Sequence, residues 1–283
     1  MTGDVLSLNQ ATIKKADLRE AVRVCAEVGF GGIGLWRDRV AEVGTAEAAR
    51  IVRAAGLTAT SLCRGGFFTS TDADERAAAL ADNRAAIDET AALGAGTLVL
   101  VAGGLPSGGR DLPAARRAVR EALDALAPYA QARGVRLAIE PLHPMFCADR
   151  AVVSTLRQAL DLAEPFPPEV VGVCVDTYHV WWDPDLDAQI ARANGRIAGL
   201  QLADWSLPLC TDPLLSRGHL GTGYIQLAEI AAAAYGPGGY RGATEVEIFR
   251  QDVWDAPARD TARRVYESLT EICVRARAPV TIR

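Results

Sequence analysis

The chain has 283 residues, 49% of them hydrophobic, and its 35 acidic and 30 basic residues give a formal charge of −5 and a pI near 5.4. Such a balance argues against nucleic-acid binding, which relies on a basic face to displace counterions from phosphates. The six cysteines form no CxxC pair, and no signal peptide or bilayer-length apolar run is visible, so the sequence predicts a cytoplasmic protein with reduced thiols and no membrane partner.

Short apolar runs alternate with helical patterns along the chain. In chain order, the predicted strands are Val5–Asn9, Gly32–Trp36, Thr58–Cys63, Thr97–Ala102, Arg136–Glu140, Val171–Asp176, Ile197–Ala203 and Ala243–Ile248. The predicted helices are Ala16–Val28, Ala46–Ala55, Asp74–Leu93, Leu112–Arg133, Val153–Ala163, Leu186–Asn194, Ile225–Ala234 and Arg259–Arg275. Near-continuous apolar strands joined by helices form parallel sheets, so these eight units predict an α/β fold: a single (β/α)₈ TIM barrel domain over residues 1–283. An open doubly wound sheet is the alternative, but the first strand is not followed by the GxGxxG turn that we would expect there.

Carboxylates lie at the ends of three predicted strands. Glu140 closes RLAIE, Asp176 closes VGVCVD, and Glu247 lies in ATEVEIF on the same strand face as Glu245. The carboxyl ends of barrel strands carry the active site, so these side chains should converge on one pocket. Their mutual repulsion would be relieved by a divalent cation that prefers oxygen ligands. Salt bridges to the plentiful arginines are the alternative explanation.

Five phrases of the sequence carry a resemblance to a known family. They are AIEPLHP, VDTYHVWWDPDL, GLQLADW, SRGHLGTGYIQL and ATEVEIF. With them the whole chain resembles the sugar phosphate isomerase/epimerase family of the xylose-isomerase-like TIM barrel superfamily. The resemblance implies one divalent metal ion held by Glu140, Asp176, Gln201 and Glu247. Gln201 stands where the family has a histidine, and its oxygen favours a hard ion, so Mn²⁺ is expected, with Mg²⁺, Co²⁺ and Zn²⁺ as alternatives.

The resemblance also implies substrate-binding residues. His179, three residues after Asp176, and Arg217 match positions that contact substrate oxygens in the family. His143 and His219, the other two histidines, lie in motif loops and are further candidates to bind substrate. Trp36 ends the second predicted strand and could stack on a sugar ring, or it could cap the core. Cys63 and Arg64 end the third strand and are expected to face the same pocket.

The activity implied by the resemblance is a metal-dependent isomerisation or epimerisation of a small-molecule carbohydrate, a keto-sugar or inosose. Glu140 and Glu247 would act as the catalytic acid and base in proton abstraction next to a carbonyl, through a metal-stabilised enediolate. The same site would also serve a dehydratase or a C-glycoside-cleaving lyase. Gln201 motivates a second alternative, a degenerate sugar-binding barrel without catalysis. A multi-zinc endonuclease is disfavoured by the three histidines and the acidic pI, and a homodimer or homotetramer is implied by the family.

Overall fold

Eight parallel strands close into a barrel in a computed structural model of the chain, which describes residues 5–278. The barrel strands are β1 (Leu6–Asn9), β2 (Gly32–Trp36), β3 (Thr58–Gly66), β4 (Thr97–Val101), β5 (Arg136–Glu140), β6 (Val171–Asp176), β7 (Ile197–Leu202) and β10 (Thr244–Val246). Neighbouring strands follow the chain order from β1 to β7, and β10 closes the ring between β7 and β1. A separate antiparallel pair is formed by β8 (Asp204–Trp205) and β9 (Arg217–Gly218). The predicted (β/α)₈ barrel is confirmed.

Helices surround the barrel. They are α1 (Leu18–Val28), α2 (Arg37–Val43), α3 (Thr45–Ala54), α4 (Ala73–Leu93), α5 (Leu112–Ala132), α6 (Leu156–Ala163), α7 (Thr177–Val180), α8 (Leu186–Arg192), α9 (Leu227–Tyr235), α10 (Gln251–Asp255) and α11 (Ala258–Arg277). Three short 3₁₀ helices span Gln10–Ile13, Pro144–Phe146 and Pro213–Ser216. Within the described part of the chain, no helix combines the length and apolarity needed to cross a membrane.

Local sequence explains where several of these helices begin and end. Asp17 caps α1 by accepting a hydrogen bond from the backbone N–H of Glu20 at 2.8 Å, and Asp72 caps α4 in the same manner. Gly29 and Gly94 end the same two helices in the left-handed conformation, which glycine adopts without a steric penalty. These caps fix the short turns that return the chain to the next strand.

The elements that the sequence did not predict are short. Helix α2 has seven residues and follows β2, α7 has four and follows β6, and α10 has five and follows β10. In all three places the sequence is typical of a loop. A helix of one or two turns contains too few residues to show a 3.6-residue hydrophobic period. The two short strands β8 and β9 were missed for the same reason. Strand β3 runs three residues beyond its predicted end because Gly65 and Gly66 pair with Leu100 and Val101 of β4.

Gly66 is the glycine whose replacement we expect to disturb the barrel most directly. Its φ is +116°, and a Cβ atom there would overlap the carbonyl oxygen of Val101. The variant Gly66→Ala should therefore lower the free energy of unfolding by about 2 kcal/mol or more, since both backbone strain and overpacking oppose it.

Urea denaturation of Gly66→Ala beside Gly56→Ala checks this prediction. Gly56 has a φ of +72° but open space where its Cβ would lie, so its replacement carries the strain of a positive φ alone. Equal losses of stability in the two variants would show that the contact with Val101 is relieved by a backbone shift.

Candidate active site

The carboxyl ends of the strands surround a cavity of about 350 Å³. Glu140 is the last residue of β5, and Glu247 lies just past β10, so both carboxylates reach the cavity from strand ends. The other lining side chains come from the strands themselves and from the loops and short helices that follow them: Lys14, Trp36, Cys63, Arg64, Phe67, Val99, Val101, Leu142, Arg150, His179, Leu214, Leu215, Arg217, Phe249 and Trp254. Acidic, basic and aromatic groups therefore meet in one concave site, as expected at this end of an α/β barrel.

Glu140, Asp176 and His179 form a buried cluster beside this cavity. Their potential ligand atoms all lie within 4.8 Å of one another. Asp176 ends β6, and the single turn of α7 brings His179 back to the same side, three residues later. Asp176 itself caps that turn, since its carboxylate accepts a hydrogen bond from the backbone N–H of Tyr178 at 2.9 Å. The short helix thus locks the positions of two members of the cluster relative to each other.

The environment raises the pKa of each carboxyl group in the site. Burial is the largest cause for Glu140, whose pKa is raised well above its ordinary value, and the charges of Asp176 and Glu247 raise it further. Burial also raises the pKa of Glu247, to about 8, although the guanidinium of Arg217 opposes this shift. Ionised carboxylates are therefore costly here without a nearby positive charge.

Arg217 supplies one such charge from the centre of the site. Its side chain is 1% exposed, and Nη1 donates to Asp176 Oδ2 at 2.7 Å and to the backbone oxygen of Glu247 at 3.0 Å. The same nitrogen lies 3.4 Å from Glu247 Oε2. The guanidinium also packs against the rings of Tyr178 and Phe249, with centroids 4.9 and 5.1 Å from Cζ. Arg217 is therefore a fixed bridge between two of the strand-end carboxylates.

His179 is held between two N–H donors. Arg217 Nη2 lies 3.0 Å from Nε2, and the backbone N–H of His143 points to Nδ1 at 3.3 Å. Burial and the charge of Arg217 hold the pKa of His179 well below its ordinary value, so the ring is neutral. Because a neutral imidazole has a single acceptor nitrogen, only one of these contacts can be a full hydrogen bond. The shorter distance assigns that role to Nε2.

The donor atoms and charges of this site fit a divalent cation. Asp176 and Glu247 contact the guanidinium of Arg217, whereas Glu140 has no ion-pair partner among the described residues. Glu140 Oε1 is buried and has no hydrogen-bond partner among residues 5–278. Two carboxylates and a neutral imidazole are ligands that Mn²⁺, Zn²⁺ and related ions accept. Glu140, Asp176 and His179 thus form a candidate metal site, with Glu247 on the same cavity.

Gln201 lies in a different polar network inside the barrel. Its Nε2 donates to Glu245 Oε1 at 2.9 Å, and its Oε1 accepts from the thiol of Cys174 at 3.4 Å. The Glu245 carboxylate also accepts hydrogen bonds from four side chains of β1 and β3: Ser7, Asn9, Thr60 and Ser61. Gln201 is adjacent to Asp176 in the strand register but does not line the cavity. Its predicted role as a metal ligand stays a prediction.

The remaining predicted residues occupy different places. Trp36 lines the cavity, and its indole N–H donates to Asn9 at 2.8 Å. The His143 ring packs against Trp182 and Trp205, with centroids 5.5 and 5.2 Å away, behind the cavity lining.

His219 lies in a separate surface depression with Arg250, Asp252 and Arg264, where burial lowers its pKa to about 4. The structure therefore brings Trp36 into the site with the carboxylates and leaves the imidazoles of His143 and His219 outside it.

Several lining residues were not singled out from the sequence. Phe249 and Trp254 follow the last strand, and Arg150 lies in the loop after β5, which are positions where an active-site residue is expected in this fold. Lys14 and Phe67 lie in the loops after β1 and β3. All five follow a strand, and this position alone could have indicated that they line the site. Their residue types form no distinctive sequence motif.

Burial also divides the six cysteines by reactivity. Cys25, Cys63, Cys174 and Cys273 are buried, Cys147 is partly buried and Cys210 is exposed. Burial raises the pKa of Cys25 to about 12, and it raises that of Cys63 and Cys174 well above the ordinary value, with neighbouring carboxylates adding to the shift. We expect one fast thiol in the native protein, Cys210, because the thiolate is the reactive form.

Reaction of the native protein with a disulfide reagent such as DTNB measures this directly. The fast phase should be lost in Cys210→Ser, and the buried thiols should react only after denaturation. A fast phase of two or more thiols that persists in Cys210→Ser would contradict the burial described above.

Comparisons with known proteins agree with the barrel fold described above. The sequence model of a family described as "Xylose isomerase-like TIM barrel" matches residues 22–272. The crystal structure of protein SMc04130 from Sinorhizobium meliloti 1021 is 51% identical, covers 95% of this chain and 98% of its own, and has a TM-score of 0.91. A search of curated proteins found no match.

More distant structures share the barrel alone. The IOLI protein, described with a bound zinc atom, is 18% identical over 97% of this chain and all of its own, with a TM-score of 0.83. A D-psicose 3-epimerase crystallised in the presence of D-fructose is 18% identical over 94% of this chain and 97% of its own, with a TM-score of 0.77.

Proposed function

This chain belongs to the xylose isomerase-like TIM barrel family, and on that premise we propose that it is a divalent-metal-dependent isomerase or epimerase of a keto-sugar or inosose. The observation that carries this proposal is the buried cluster of Glu140, Asp176 and His179 beside a cavity that Glu247 also lines. Its oxygen and nitrogen donors, the unpartnered Oε1 of Glu140 and its position at the strand ends all suit a metal-dependent reaction of a small molecule.

Glu140, Asp176 and His179 would hold the metal ion, with Glu247 as a fourth ligand. When bound, a divalent cation supplies Lewis acidity toward a carbonyl and the neighbouring hydroxyl. The protein supplies the proton transfers. The Glu247 carboxylate lines the cavity directly, so it could accept a proton from a carbon next to a carbonyl and return it.

Glu140 is suited to act as the second acid or base. Strands β6 and β7 separate β5 from β10 in the ring, so Glu140 and Glu247 approach the cavity from different sides. A proton removed by one carboxylate and returned by the other to the opposite face of the same carbon gives epimerisation. Return of the proton to the neighbouring carbon gives isomerisation.

Other residues would bind and orient the substrate. Arg217 Nε is buried without a hydrogen-bond partner in the described residues, so it can donate to a substrate oxygen while Nη1 keeps its bond to Asp176. Trp36 offers an aromatic face on the cavity, on which a sugar ring can stack. Leu142, Leu214 and Leu215 on the cavity wall reduce access of water to the reacting carbon.

The proposal is tested first by metal binding and then by proton exchange. Calorimetry with Mn²⁺ should show one site in the EDTA-treated protein, and Asp176→Asn should weaken it strongly. Asp124→Asn, an exposed change on α5, is the matched control. No binding of Mn²⁺, Co²⁺ or Zn²⁺ by the wild-type protein would contradict the proposed function.

Incubation of the metal-loaded protein in D₂O with a panel of ketoses and inososes should then show deuterium incorporation into one of them. An isomerase or epimerase gives a product of unchanged mass apart from the deuterium. A product that has lost water or an aglycone would instead identify a dehydratase or a C-glycoside-cleaving lyase.

A further inference from the structure

Two buried atoms of opposite charge line the cavity without contacting each other. Arg64 Nη1 and Glu140 Oε1 both lack a hydrogen-bond partner in the described region, and no ion pair joins the two side chains there. Buried polar atoms are nearly always paired in native proteins, and a partner that is missing within the protein points to a ligand. Arg64 and Glu140 therefore both line this cavity with an atom that is free to contact a ligand.

The position of Arg64 is fixed by an aromatic contact. Its Cζ atom lies 4.1 Å from the centroid of the Phe67 ring, so one face of the guanidinium is covered. The N–H groups at the edge of a guanidinium lie in its plane and remain free to donate when a face is stacked. Phe67 thus holds the planar group in place while Nη1 has no acceptor from the described protein.

The other two arginines of the cavity, unlike Arg64, have carboxylate partners among the described residues. Arg150 donates to both carboxylate oxygens of Asp212, at 2.9 and 3.0 Å, and Arg217 is bound to Asp176. Lys14 is exposed and lies over the ring of Trp254, 4.6 Å from its centroid. Among the three cavity arginines, only Arg64 has no carboxylate hydrogen-bonded to it in residues 5–278.

We propose that Arg64 forms an anion subsite and that the substrate is a sugar derivative bearing a carboxylate or a phosphate group. This inference rests on the proposed function, since it names the substrate class of that site. A guanidinium matches two oxygens of a carboxylate or phosphate with parallel hydrogen bonds. A neutral ketose would leave the positive charge of Arg64 without a counter-charge when it displaced water from the cavity.

The subsite would also orient the substrate. The anionic group would be attracted to Arg64 and repelled by the carboxylates of Glu140 and Glu247. The uncharged carbonyl and hydroxyl groups of the same molecule would then be the ones that approach Glu140 and Glu247, which line the same cavity.

Calorimetry on the EDTA-treated protein at low ionic strength tests the subsite without turnover. The probes are inorganic phosphate and D-gluconate, with D-glucitol as the neutral counterpart of gluconate. We expect the wild-type protein to bind at least one anion and not D-glucitol. Binding should be at least about tenfold weaker in Arg64→Gln and partly retained in Arg64→Lys, which keeps the charge without the planar fork.

Arg53→Gln is the matched control, since Arg53 is exposed on α3 and away from the cavity. Binding of phosphate alone identifies a phosphate ester as the preferred group, and binding of gluconate alone identifies a carboxylate. If neither anion binds, or if Arg64→Gln binds them as the wild type does, the inference is wrong.

A measurement on the wild-type protein avoids dependence on the folding of the variants. Phenylglyoxal modifies arginines, and peptide mass spectrometry locates the modified residues. Phosphate or gluconate should slow modification of Arg64 and leave that of Arg53 unchanged, and equal rates with and without the anions would overturn the subsite. These readouts need neither metal nor activity, so failure of the proposed reaction and failure of the anion subsite are separate results.

Discussion

Glu247→Gln should lower deuterium exchange between substrate and solvent by about 10²–10⁴-fold, the contribution typical of a positioned general acid or base. Glutamine keeps the size of the side chain and can still form hydrogen bonds, but it cannot take up a proton near neutral pH. Glu247 is only 4% exposed, and its side chain lines the cavity directly. The measurement is the rate of deuterium incorporation into the substrate identified from the panel, at saturating Mn²⁺.

Glu247 is also proposed as a metal ligand, so the affinity for Mn²⁺ must be measured on the same variant. Loss of exchange in a variant that is saturated with metal assigns the effect to proton transfer. Glu267→Gln, an exposed change on α11, should retain full exchange. Exchange at the wild-type rate in Glu247→Gln would remove Glu247 from the catalytic role.

Arg217→Met should lower the free energy of unfolding of the metal-free protein by about 3–5 kcal/mol, the usual effect of removing one partner of a buried ion pair. Methionine fills much of the same apolar space between Tyr178 and Phe249, so the loss reports chiefly on charge and hydrogen bonding. Asp176 and Glu247 would then be left without their shared counter-charge. Urea denaturation near pH 8 in EDTA measures the effect.

Arg53→Met provides the control for this second prediction, because an exposed substitution is expected to change stability by less than about 0.5 kcal/mol. Arg217→Lys should lie between the two, since an ammonium group retains the charge but cannot bridge Asp176 and His179 as the guanidinium does. A loss below about 1 kcal/mol in Arg217→Met would show that the carboxyl groups adapt by taking up protons.

The sequence was sufficient to predict the barrel and the strand ends at which Glu140, Asp176 and Glu247 lie. Strand periodicity is a local signal, and the closure of eight parallel strands places their carboxyl ends together. The approach of these carboxylates to one cavity follows from that geometry. Their predicted roles as metal ligands and catalytic groups rest on the experiments above.

Contacts between distant segments could not be predicted in the same way. Arg217 enters the site from β9, a two-residue strand in a long loop, and nothing in the local sequence indicates that it bridges Asp176 and Glu247. The hydrogen bonds of the Gln201 amide to Glu245 and Cys174 are likewise not indicated by the local sequence. These pairings depend on the curvature of the closed barrel, which no single strand encodes.

The four-residue helix α7 limits the kinds of change that this site can tolerate during evolution. Each residue of a helix turns its successor by about 100°, so inserting or deleting one residue between Asp176 and His179 would swing the imidazole away from the carboxylate. Point substitutions at Thr177 or Tyr178 leave that angular relation intact. The geometry of the site therefore constrains the length of this turn whatever residue types it contains.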